Sequence, residues 1–239
     1  MNPTFQGFPP DALAFLRRLK RNNHREWFLK NKPVYEAKVK APMLELVLAL
    51  GREMKKFAPE MQTDPARAIY RIYRDVRFSP NKTPYKTHVS AIFHPRGRPK
   101  HDGAGLYFHI SPGEVEIAGG VYMPERDTLL AIRHHIAGHH RQLRTILEAP
   151  EFRRLFGEPW GEKLTRAPKG FPPDHPAAEL LRYKQLLADV AHPAELAETP
   201  RLYSTLVECF RAMMPLVRFL NAPLKPRPAE AGGLDRKIG

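Results

Sequence analysis

Cysteine is nearly absent from this chain: Cys209 is the only one in 239 residues. An internal disulfide framework is therefore excluded, and a reducing compartment is expected. Leu202, Leu206, Met213, Leu216 and Leu220 recur around Cys209 at helical spacing, which makes it a small core residue rather than a nucleophile. No apolar run approaches the ~20 residues of a membrane span. Met1-Asn2-Pro3-Thr4 carries no basic stretch leading into an apolar one. The expectation is a cytoplasmic protein with no membrane partner. Glycine-rich phosphate loops of the Walker or dinucleotide type are missing, and no serine stands in a nucleophile elbow. Four histidines cluster at 134, 135, 139 and 140. Gly138 interrupts them and no carboxylate stands at zinc-site spacing, so neither a metal nor another cofactor is expected.

Acidic residues are also scarce, with 25 Asp and Glu against 39 Lys and Arg, a net charge of +14. Residues 1–60 and 61–104 carry +6 each, leaving +2 for the rest. Such an asymmetry attracts polyanions. A hydrophobic content of 42% and a charged content of 27% are those of an ordinary globular protein with a sizeable core.

Apolar periodicity predicts helices first. Ala12, Phe15, Leu16 and Leu19 form one stripe behind Asp11, a candidate N-cap. Asn23 and Glu26 are spaced as a capping box for a second helix through Trp27 and Phe28. A third helix starts at Pro33, and Pro42 predicts a kink or break near Lys40. From Ala68 the period falls to two, predicting a strand over residues 70–78. Further strands follow at 87–94 and 105–111, and a fourth contains Val115, Ile117 and Val121. Ser111-Pro112-Gly113-Glu114 has the composition of a type II turn. Gly119-Gly120 suggests a bulge. The breaker-rich loop 95–103 reads as mobile. Helices are expected after Pro124 (ending near Gly138), over 141–148, 152–156, 177–188 and 200–221. Together these describe a single α+β domain over residues 1–221: an antiparallel four-stranded meander with N- and C-terminal helices packed mainly on one face. A disordered basic tail over 222–239 completes the chain.

One stretch concentrates the chemistry. Residues 70–86 hold five cations, one carboxylate and four aromatic rings. On a strand, Arg71, Asp75 and Arg77 share one side, with successive same-side residues ~6.5–7 Å apart. Asp75 would then be flanked by guanidiniums whose spare forks could take a phosphate or carboxylate. Lys82 and Lys86 could fold over the same ligand and Tyr85 offer a phenol or a stacking face. Tyr107, His109 and His88 could join from neighbouring strands, depending on register. Arg74, alone on the apolar side, needs a partner such as Glu26 or Glu36, so Arg74, Glu26 and Asn81, a turn former, are read as structural.

The spacing Arg71-x-x-Arg74-Asp75-x-Arg77-Phe78-x-x-Asn81-Lys82-x-x-Tyr85 resembles the signature of a bacterial and fungal family, domain of unknown function 2461. Asn22-Asn23 to Trp27-Phe28, the 106–114 hairpin, Pro168-Lys169-Gly170-Phe171 and the last helix are similar too. The resemblance covers nearly all of residues 8–221 and implies a single-domain family with no established activity, so it transfers no catalytic role. The residues themselves point to an anion-binding domain. Its ligand would be a phosphorylated or carboxylate small molecule, with nucleic acid as a further candidate. One alternative is an enzyme acting on a phosphorylated substrate, with Asp75 or His109 as general base. Another is a scaffold whose motif is an ion network.

Overall fold

The computed structural model describes residues 5–77 and 79–225. Expectations about Met1–Thr4, Phe78 and residues 226–239 lie outside these. The fold is α+β, as expected, with a four-stranded antiparallel sheet in the order β1-β2-β3-β4: β1 Val89–Phe93, β2 Gly105–Ile110, β3 Glu114–Val121 and β4 Leu186–Pro193. Its membership departs from the sequence reading at both ends. Residues 70–77 are not a strand of the sheet. The fourth strand comes from 186–193, where a helix was expected over 177–188 and only α7, Ala178–Leu181, is helical. Pairing with β3 from Val121↔Leu186 to Glu114↔Pro193 overrides the helical pattern there.

Residues 70–86 fail as a strand for local reasons. Asp75 Oδ1 accepts the backbone N–H of Arg77, and Asn81 Oδ1 accepts that of Thr83, so side chains take donors a ladder would need. Pro80 and Pro84 bring no N–H at all. What forms is an irregular two-legged loop closed by a Tyr73↔Tyr85 bridge and the bonds Arg74 N–H to Pro84 O and Lys86 N–H to Ile72 O. It hangs from the edge of β1 through the Ile69↔Ala91 bridge and Tyr70 N–H to Ser90 O.

Helix α1 (Pro10–Arg21) follows Pro9 as N-cap, with Asp11 in its first turn rather than capping it. Helix α2 is Arg25–Val34, capped by His24, whose ring accepts from the Trp27 N–H. Asn23, expected as that cap, is spent elsewhere: its amide accepts from Tyr85 N–H (3.0 Å) and donates to Tyr85 O (2.8 Å). The chain stays helical through Pro33, widens into a π turn over Tyr35–Lys40, and continues as α3, Ala41–Phe57. The wide turn lies where a break before Pro42 was expected, since proline offers no N–H to a regular turn.

After the four-residue α4 (Pro65–Ala68), α5 (Arg126–Glu148) bends at His139, one residue past Gly138, so the two helices expected there are merged across a kink. Helices α6 (Pro150–Phe156) and α8 (Arg201–Asn221) complete the set.

Val89, Ala91, Phe93, Leu106, Phe108, Ile110, Val115 and Ile117 make the buried side of the sheet, and α8 brings Phe210 and Met213 to it. Gly119 admits that approach: a Cβ there would lie 2.7 Å from the Met213 sulfur. Gly120 has φ +133°, and a Cβ would lie 2.2 Å from Leu186 O. Pairing runs through both glycines without interruption, so the pair is a close approach and not a bulge. Cys209 is buried in the same core, and burial pushes its thiol up to about 12.

The 95–103 loop, expected to be mobile, is tied down. Arg98 and Asp102 are buried and paired at 2.8 Å, Thr128 donates to the same carboxylate, and Arg98 also bonds Lys225 O. Asn221 clasps Ala104 at 2.9 Å in both directions. Lys225, four residues past the boundary expected at 221, is thus held by the loop.

Candidate functional site

Register decides what the sheet presents on the side opposite α8. The β2–β3 turn pairs Ser111 with Glu114, which sets His109 opposite Glu116 and Tyr107 opposite Ala118. Carried across the sheet, three rows share this face: Ser90, His109, Glu116, Ala191; Ile92, Tyr107, Ala118, Asp189; and Gly105, Gly120, Leu187. Trp160 pairs with Leu187 through two backbone bonds and extends the last row beyond β4. Tyr107, His109, Glu116 and Asp189 are all half-buried.

His109 is the hub. Its Nδ1 lies 3.0 Å from Glu116 Oε2 and 3.3 Å from the Tyr107 hydroxyl, and its Nε2 lies 3.7 Å from Glu114. Hydrogen bonding to His109, joined by the charges of His109 and His88, holds the Glu116 carboxyl below its ordinary value. Burial raises Tyr107 to about 12 despite a hydrogen bond with Ser90. Asp189 is raised by burial and by Glu116. The His88 ring is 5.1 Å from that of His109. Burial pushes its imidazole down to about 4, helped by His109, Lys86 and Arg74 against the opposing pull of Glu116.

At the β1 edge the motif loop supplies Tyr70, whose ring has the Lys86 and Lys100 ammoniums at 4.8 and 4.7 Å and whose hydroxyl is 3.4 Å from His101 Nε2. Its ring also meets that of Tyr107 edge-on at 6.4 Å.

The motif residues therefore divide differently from the sequence reading. Asp75 is gripped by Arg77 through Nε (2.9 Å) and Nη2 (2.6 Å), so the Arg77 fork is turned on Asp75 rather than outward to a ligand. Those bonds, the Arg77 N–H and the charge of Arg71 hold Asp75 at about 2, which makes it a poor general base. Arg71 and Arg77 are exposed. Lys82 donates to Val76 O at 3.0 Å and closes the loop on itself. Tyr85 is 4% exposed and stacked on Phe28 at 4.1 Å; it belongs to the core.

Arg74 reaches Thr83 Oγ1 (2.7 Å) and Ser79 Oγ (3.5 Å) rather than Glu26 or Glu36, and Glu36 pairs with Lys40. Asn81 accepts from Thr83, as a turn former should. Of the expected site residues, Lys86, Tyr107 and His109 meet on the sheet face. Glu116, Ser90, Asp189, Tyr70, His101 and Lys100 join them. Glu116 could have been found from the Ser111–Glu114 turn, whose closure sets its pairing with His109. Asp189 could not, since its strand read as helix.

Among the described residues no three His, Cys, Asp or Glu side chains gather as a metal site would require. His135 and His139 stack on each other at 4.3 Å, and no described helix is long and apolar enough to cross a membrane. No curated protein and no solved structure matches the chain. The model of the family described as conserved hypothetical protein (DUF2461) matches residues 11–219, and the chain belongs to that family.

Proposed function

We propose that the half-exposed face of the sheet, beside the motif loop, binds an anionic ligand through a phosphate or carboxylate group. The observation that carries this reading is the convergence of positive charge on His88. Burial first, then the charges of His109, Lys86 and Arg74, disfavour its protonation against the pull of Glu116, and the Lys86 and Lys100 ammoniums stand 4.8 and 4.7 Å from the Tyr70 ring of the adjoining loop. A bound anion would reverse that preference, accept from His88 and His109, and be held by Lys86 at the edge. The motif contributes Lys86 and Arg74, while Asp75, Arg77, Lys82 and Asn81 keep the loop in shape.

A second reading rests on the Glu116–His109 pair. Glu116 holds the proton on Nδ1, leaving Nε2 as the basic atom, the arrangement that a general base acting on a phosphorylated substrate requires.

One experiment separates the two. Inorganic phosphate is titrated while the histidine ring resonances are followed by NMR, and hydrolysis of p-nitrophenyl phosphate is assayed in parallel. Saturable shifts at His88 and His109, weakened by Lys86→Ala, are expected for the binding site. Turnover lost in His109→Gln with phosphate shifts at His88 retained would establish the enzyme. Ring resonances that do not respond to phosphate would sink the reading.

A further inference from the structure

The proposed anion site occupies only one end of the face, and the other end is rimmed by exposed aromatic rings. Tyr122 follows the last residue of β3 and is 45% exposed, yet close enough to Tyr107 for its charge to be felt there. Trp160, 51% exposed, ends the row that runs through Gly105, Gly120 and Leu187. That row has no side chain at its first two positions, but Gly120 is buried and Ile92 lies over Gly105, so the exposed rings at its rim, Tyr122 and Trp160, are the stacking surfaces. Met123, next to Tyr122, is 64% exposed and is the one non-glycine residue with positive φ (47°) among the described residues. Strain of that kind on a residue that gains no burial is a feature of binding surfaces rather than of cores. From the Tyr70 leg across four strands to Trp160 there are five interstrand steps, or roughly 24 Å. A single small anion at His88 covers a fraction of that length.

We propose that this face is a platform for single-stranded nucleic acid. Bases stack on Tyr122 and Trp160, while the phosphates run to the basic edge at Lys86 and Lys100. The proposal rests on the anion-binding reading and names its ligand class. Stacking on successive aromatic rings beside a basic edge is how sequence-tolerant single-strand binders work, because every base has a π face. Charge complementarity agrees, since residues 1–104 hold +12 of the net +14. The carboxylates in the middle do not oppose it. Glu116 is engaged by His109 at 3.0 Å, and a carboxylate such as Asp189 can accept from the exocyclic amino groups of bases. A duplex would bury its base faces and leave Tyr122 and Trp160 nothing to stack on.

The test uses the full chain and a fluorescein-labelled 12-nucleotide strand of mixed sequence, as DNA and as RNA, with the matching duplexes and a polyglutamate of equal charge as competitors. Expected are anisotropy changes with either strand and affinity that falls steeply with salt. Tryptophan fluorescence should be quenched in the wild type and not in Trp160→Phe, which leaves only Trp27. Trp160→Ala combined with Tyr122→Ala should weaken strand binding tenfold or more at an unchanged melting temperature. The difference between the DNA and RNA arms identifies the natural strand. Equal affinity for duplex, full competition by polyglutamate, or no loss in the double variant would overturn the proposal. The two readings fail separately. If phosphate still shifts His88 and His109 while the double variant binds the strand normally, the platform alone is wrong. If the rings ignore phosphate and Lys86→Ala binds the strand as the wild type does, the anion site is wrong with it.

Discussion

His88 joins the motif loop to the sheet and reports on both. It leads into β1, beside His109 and within reach of the charges of Lys86 and Arg74, and its imidazole is held at about 4 against an ordinary 6.5. Between those values the unfolded chain binds a proton that the folded chain refuses. Stability from this residue is therefore complete above pH ~6.5 and declines as pH falls towards 4, by up to about 3 kcal/mol. His88→Gln should flatten that limb of the melting temperature against pH and leave stability above pH 7 nearly unchanged. A limb of the same slope in the variant would show that His88 titrates like an exposed histidine. Saturating phosphate should shorten the same limb, ending it at a higher pH with a smaller total loss, if the anion binds beside the ring, because the folded state then accepts the proton more readily.

At the level of elements, the motif loop has almost no regular structure of its own, so what holds it matters more than what it contains. Asn23 does most of the holding: its amide imitates a neighbouring strand by giving and taking one hydrogen bond at Tyr85. Below it, Tyr85 stacks on Phe28, and Phe28 meets Phe15, Tyr35 and Tyr73 in turn. Asn23→Ala leaves the Tyr85 N–H and C=O without these partners and should cost about 1–3 kcal/mol. The loss should be local: amide exchange at Tyr85 and Lys86 accelerates while β2 and β3 stay protected. Uniform acceleration across the sheet would mean that the loop and the sheet open as one unit.

For the molecule as a whole, the ends of the chain are tied to the middle by polar contacts. Arg211–Glu53 and Arg218–Glu60 pairs join α8 to α3 and the residues just after it. Asn221 and the buried Arg98–Asp102–Thr128 set fasten the 95–103 loop to the end of α8 and the start of α5. The surface pairs contribute little each. Loss of Arg98 removes the guanidinium that compensates a buried carboxylate, and Arg98→Met should cost about 3–5 kcal/mol. For a chain of this size that corresponds to a melting temperature lower by roughly 10 °C. A smaller drop, under ~2 °C, would show that Thr128 and the backbone satisfy Asp102 alone.

Local chemistry settled a good deal without any tertiary information. Periodicity sufficed for α1, the long helix through Phe57 and α8, because one face of each is apolar at helical spacing. Pro42 and Gly138 marked the two distortions, since a missing N–H and a missing Cβ act wherever they occur. Ser111-Pro112-Gly113-Glu114 marked a turn, though not the type II turn expected, since Gly113 is not among the glycines with positive φ, and the register that pairs His109 with Glu116 was left open. The stretch over residues 70–86 was rightly singled out as unusual, but its shape was not legible. Alternation of period two describes side chains, whereas Asp75, Asn81 and two prolines had already diverted the backbone donors that a strand needs. Only the tertiary structure decided that β4 comes from 186–193, because its strand character is supplied by the open edge of β3. Tertiary contacts likewise turned Tyr85 into core and moved the candidate site from one charged strand to a sheet face shared by four. A sequence can state which charges are near each other along the chain; which of them neutralise one another and which are left to meet a ligand depends on packing.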